Sequence, residues 1–134
     1  MPLVVPDVAE ATILNFILGK TTAPANQILK LFKNAYTPSE STTLSDFTES
    51  TEAGYSPVTL NANNWTVSSN SGVTTASYAE QTFVFSQGAT VYGYYIITSE
   101  TNPQLLWAER FTSAPFVLPN SGGSIAITPK IGAE

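Results

Sequence analysis

Thr90-Val91-Tyr92-Gly93-Tyr94-Tyr95-Ile96-Ile97-Thr98 and Leu105-Leu106-Trp107-Ala108-Glu109-Arg110-Phe111 are two runs dominated by β-branched and aromatic residues, the composition of strands. Ser99-Glu100-Thr101-Asn102-Pro103 between them has the makings of a turn, so the pair is expected to form one hairpin. Alternation puts Tyr92, Tyr94 and Ile96 on one face and Val91, Tyr95 and Ile97 on the other, so at least one set is core. Gly93 is expected either to relieve crowding against Trp107 or to let another backbone approach.

Outward from this hairpin the chain alternates short β-runs with turn residues: Ser56 to Leu60, Trp65 to Ser68, Thr74 to Tyr78, Gln81 to Ser86 and Ser124 to Pro129. Gln27 to Asn34 fits a strand better than a helix. Leu44 to Glu49 suits a short turn or helix. Pro119-Asn120-Ser121-Gly122-Gly123 is a turn before what is expected to be the last strand, where Ile125 and Ile127 share a face and Pro129 ends the pairing or marks an edge.

The N-terminal region differs. Asp7 with Glu10 has the spacing of a capping box, and the helix expected from Val8 to Leu18 stops at Gly19, a suitable residue just past a helix end. Only Glu10, Thr12 and Asn15 interrupt its apolar surface, so coverage on more than one side is expected, in the core or at an interface. The expected architecture is a single domain over 1–134, with an extended arm at 1–6, a helix at 7–19 and a β-rich body at 26–134. It is mainly β with one N-terminal helix, an antiparallel sandwich or barrel-like body.

Composition limits the chemistry. The 134 residues contain no His and no Cys, which removes disulfides, thiolate metal sites and the usual neutral-pH acid/base. A net charge of −5 with five cations argues against nucleic acid and anionic membranes as partners. No stretch approaches the ~20 apolar residues of a membrane span, and the Met1 to Pro6 start lacks the form of a signal peptide, so export by the general secretory route is not expected. Charged residues make up 11% of the chain, against roughly 25% in ordinary domains. The surface is therefore expected to be polar but weakly charged, as assembly surfaces often are.

Asp46, Glu49 and Glu52 lie close in sequence but match no calcium loop, and proximity alone does not place two carboxylates across a cleft. Asn64-Trp65-Thr66 fits a glycosylation acceptor only by pattern. Glu109 and Arg110 are expected on opposite faces of their strand, with Arg110 serving internal structure or a partner. Trp65, Tyr92, Tyr94, Tyr95 and Trp107 admit three uses: core, protein interface or a sugar-stacking platform. No catalytic residue, metal ligand or cofactor site is expected, and an enzyme is the least favoured class.

The segments Met1 to Glu10, Leu29 to Asn34, Gly54-Tyr55, Asn64 to Thr66, Val91 to Tyr95 and Leu106 to Phe111, in this order, resemble small virion proteins of tailed bacteriophages. Within that class the chain looks most like a capsid cement, or decoration, protein. The resemblance implies a structural role on the outer capsid surface, binding the major capsid protein and clamping neighbouring capsomers, with dimer or trimer formation. Leu3, Val4 and Val5 of the arm, Ile13, Phe16 and Ile17 of the helix, and Pro115 and Phe116 within the run Thr112 to Phe116 are the contact candidates. The alternatives are a tail-tip, baseplate or tail-fibre protein, and a carbohydrate-binding β-sandwich module.

Overall fold

A computed structural model describes residues 3–133. Met1, Pro2 and Glu134 lie outside that range, and with them the first part of the expected arm. The chain runs through helix α1 (Asp7–Ile17) and strands β1 (Asn26–Phe32), β2 (Val58–Asn61), β3 (Thr66–Asn70), β4 (Val73–Ser77), β5 (Gln81–Phe85), β6 (Ala89–Val91), β7 (Gly93–Thr98), β8 (Leu105–Arg110), β9 (Phe116–Leu118), β10 (Gly123–Ile127) and β11 (Lys130–Ala133). It is mainly β with one N-terminal helix, and its antiparallel sheets do not close into a barrel.

The central sheet has the order β2-β1-β7-β8. The expected hairpin is its β7–β8 half, and Thr98 fastens the connecting turn: its hydroxyl accepts the Gln104 N–H at 2.8 Å and donates to Glu100 Oε1 at 2.9 Å. Every residue of β7 is buried, because the sheet is covered on both faces. Leu29, Leu31, Tyr94, Ile96 and Trp107 meet Phe83 and Phe85 of β5 and Ile125 and Ile127 of β10 on one side. On the other side Phe32, Tyr95, Ile97 and Ala108 pack under Tyr36, Leu44 and Phe47 of the 34–48 segment. There Phe47 stacks on Tyr95 at 4.6 Å, nearly parallel, and tilts against Phe32 at 5.0 Å.

Alternation along the first run fails at one place. Val91 belongs with Tyr94 and Ile96, and Tyr92 with Tyr95 and Ile97, the reverse of expectation for that pair. The strand breaks at Tyr92, which lies between β6 and β7, so the two-residue period restarts at Gly93. Gly93 serves the second of its two expected uses: a Cβ there would collide with the Glu109 carbonyl oxygen and lie 2.7 Å from the Phe32 ring. A bulge between Ile96 and Ile97 skips Leu106 in the pairing, so Leu106 and Trp107 both enter the first core.

Two further expectations are corrected. The strand from Ser124 is not the last, because β11 follows Pro129 and pairs with β4. No capping box forms at Asp7: the N-cap is Pro6, with no side-chain cap, and its carbonyl accepts the Ala9 and Glu10 amides at 2.8 and 3.0 Å. Proline fixes the extended-to-helical corner, and Asp7 and Glu10 still place negative charge at the positive end of the helix dipole. Gly19 does terminate the helix, with φ +70°. Its amide bonds the Phe16 carbonyl at 3.2 Å, and the Lys20 amide bonds that of Asn15 at 2.9 Å, the paired closure that a left-handed residue permits.

Candidate interaction surface

Helix α1 carries two apolar stripes. Ala9, Ile13 and Phe16 follow one face at helical spacing; Ala9 is fully buried, and Phe16 packs on the first core. Leu14, Ile17 and Leu18 follow another face, and they are 57%, 72% and 67% exposed. The expectation that the helix is covered on more than one side is therefore wrong for this chain alone. Among the described residues the helix packs against β8 through its other stripe.

Beside the helix lies the three-stranded sheet β11-β4-β3. The register aligns Ile131, Ala76 and Val67 in one row across it. That row, with Ile13 and Phe16 opposite and Trp65 and Trp107 between, lines an apolar cleft of about 330 Å³. Trp65 is fixed edge-on to Trp107 at 6.0 Å and donates its indole N–H to Gln27 Oε1 at 2.8 Å. The outermost strand, β3, has all five residues exposed, Val67 among them at 67%. The cleft thus joins the inner helix face, through Ile13 and Phe16, to the open strand β3, through Val67.

The arm is tied down within the chain. Val4 bridges antiparallel to Ala108, exchanging both backbone hydrogen bonds at 2.8 and 3.0 Å. Leu3 and Val5 are half-buried against the first core. Their covered area is thus spent within the subunit, and the arm covers part of the β8 edge that would otherwise invite pairing. Pro115 follows a cis peptide bond. Phe116 is 43% exposed, its ring edge-to-face with Phe111 at 5.1 Å. The eight candidates therefore fall in three places: the arm on β8, the helix with its cleft, and the β9 loop. Leu14 and Leu18 were not singled out by the sequence, because the helix carries too few polar residues to show which face is open.

The acidic residues hold structure. Glu49 pairs with Lys30 at 3.1 Å and accepts the Tyr55 O–H at 2.9 Å, while the Tyr55 oxygen accepts the Leu31 amide at 3.2 Å. Glu52 pairs with Lys33 at 3.3 Å. Burial alone would raise the Glu52 pKa, but the Glu52 and Thr51 amides and Lys33 outweigh it, and the carboxyl sits below its usual range. Asp46 accepts the Thr43 amide at 2.7 Å. Among the described residues no group of three or more His, Cys, Asp or Glu could hold a metal ion, and no helix is long and apolar enough to cross a membrane.

Tyr94 and Trp107 are buried, and the half-buried Tyr92 ring lies under the Arg110 guanidinium at 5.2 Å. These rings do not form an open coplanar platform. Arg110 also donates to the Tyr36 carbonyl at 3.3 Å and Thr37 Oγ1 at 3.2 Å. It is an internal strut, on the face opposite Glu109.

Burial raises the pKa values of Tyr55, Tyr94 and Tyr95 well above the ordinary 10.0, and neighbouring Glu49 or Glu109 adds to the shift. These phenols ionise near pH 10 in the unfolded chain yet keep their protons when folded. Their contribution is complete below that pH and lost as pH rises, by about 1.4 kcal/mol per pH unit for each tyrosine. Alkaline titration should show the three ionising together with loss of near-ultraviolet circular dichroism. Independent ionisation of all tyrosines near pH 10 in a folded chain would contradict their burial.

Comparison with protein-family models, curated proteins and solved structures finds no match to this chain.

Proposed function

We propose that this chain is a structural protein that works by binding, a capsid cement protein of a tailed bacteriophage. In this reading it sits on the outer shell as a homo-oligomer and joins neighbouring subunits of the major capsid protein. The observation that supports an assembly role is the open stripe Leu14, Ile17 and Leu18 on the helix that also lines an apolar cleft. Covering each such side chain fully contributes about 1.5–3 kcal/mol, and few charges need be stripped of water in the process. Modest contacts of this kind gain strength when repeated over a symmetric lattice. The assignment to a phage capsid rests on the resemblance of the ordered sequence segments. The buried Tyr94 and Trp107 count against a carbohydrate-binding module, which needs exposed rings.

The test is cosedimentation of the purified protein with phage shells assembled from major capsid protein alone. Saturable binding at a fixed ratio to capsid subunits supports the proposal. Failure to bind mature shells, with binding to isolated tails instead, would replace it with the tail-protein reading.

A further inference from the structure

Glu109 is a half-buried carboxylate that none of the chain's described cations neutralises. Its Oε2 accepts the Tyr94 O–H at 2.8 Å, and the described ion pairs are those of Lys30 with Glu49 and Lys33 with Glu52. Arg110 lies on the opposite face and is engaged with Tyr92 and Tyr36. A partly desolvated carboxylate gains from a cationic partner, and Tyr94 supplies only a neutral hydrogen bond.

Glu109 lines a cleft of about 410 Å³ together with Phe111, Phe116, Ser113 and Ser124. The two phenylalanine rings stand at 78° to one another, so Phe116 is braced from the side while remaining 43% exposed. The serines are exposed, and their hydroxyls can accept hydrogen bonds.

We infer that this cleft receives the guanidinium group of an arginine presented by a partner protein. A guanidinium is planar and weakly hydrated, stacks on an aromatic ring and carries five donors in a fork that suits a carboxylate with flanking hydroxyls. A lysine ammonium shares the charge but not the stacking plane. A sugar would leave the carboxylate uncompensated and would find the rings crossed rather than coplanar. The net charge of −5 favours the approach of a cationic segment. The inference does not depend on a capsid being the partner.

The test is amide NMR of the full chain, titrated with N-acetylarginine amide, with N-acetylcitrulline amide as the neutral isostere and methyl glucoside as a sugar probe. Saturable shifts centred on Phe116, Ser124 and Ala126 are expected with the arginine probe, with binding at least about tenfold weaker for citrulline. Glu109→Gln keeps an oxygen to accept the Tyr94 O–H and should preserve the fold while erasing the preference for arginine over citrulline. Phe116→Ala, at an exposed position, should weaken the arginine probe. Equal binding of citrulline, shifts with methyl glucoside only, or no saturable shift would each overturn the inference.

Discussion

Replacing Gly93 with alanine should destabilise the fold by about 3 kcal/mol or more, at the upper end of what overpacking costs. The added methyl group has nowhere to go. It meets the Glu109 carbonyl oxygen on one neighbouring strand and the Phe32 ring on the other, and Phe32 is fully buried against Phe47. Relief requires either parting β7 from β8 or shifting the aromatic stack, and both are packed. Against a total stability of about 5–15 kcal/mol for a domain, such a loss is large. Urea unfolding should show a lower midpoint with an unchanged slope. A change of less than about 0.5 kcal/mol, the level of an ordinary surface substitution, would mean that the central strands are not packed as described.

The second large effect concerns binding rather than folding. Ile17→Glu combined with Leu18→Glu should cost no more than about 2 kcal/mol of stability, because both side chains already face water and the added carboxylates oppose only the dipole at the helix C-terminus. Binding to capsid shells should nevertheless fall by more than about a hundredfold, since two apolar contacts are lost and two carboxylates must be dehydrated. Cosedimentation beside a denaturation curve separates the two effects. Undiminished binding by a folded double variant would remove the helix from the interface.

How far the sequence revealed this structure depended on how many residues carried each pattern. The β7–β8 hairpin was legible because its two long runs of β-branched and aromatic residues were split by an obvious turn. Strand β1 followed from alternation over Ile28 to Phe32. Strands β9 (Phe116–Leu118) and β11 (Lys130–Ala133) are too short for periodicity to emerge, and the latter contains Gly132. The misplacement of Val91 and Tyr92 has a local cause, since alternation predicts faces only while pairing is continuous. At the helix start, Asp7 and Glu10 had capping-box spacing, but Pro6 occupies the cap.

The candidate surface was half legible. Ile13, Phe16 and Ile17 were marked as one face, yet the structure divides them: Phe16 packs inward and Ile17 lies open. A helix apolar nearly all round does not disclose which stripe the rest of the chain will cover. The cleft could not be anticipated, because Val67, Ala76 and Ile131 become neighbours only through the register of three strands. Val4 has the opposite history: an apolar arm suggested an outward contact, but its hydrogen bonds go to Ala108.

The most direct test of the assembly reading is a cryo-EM map of the intact virion, asking where this 14.3 kDa chain lies. The account predicts density repeated over the outer shell between capsomers, with Leu14, Ile17 and Leu18 covered by a neighbouring subunit. Density confined to the tail, or a particle that lacks the protein, would contradict it.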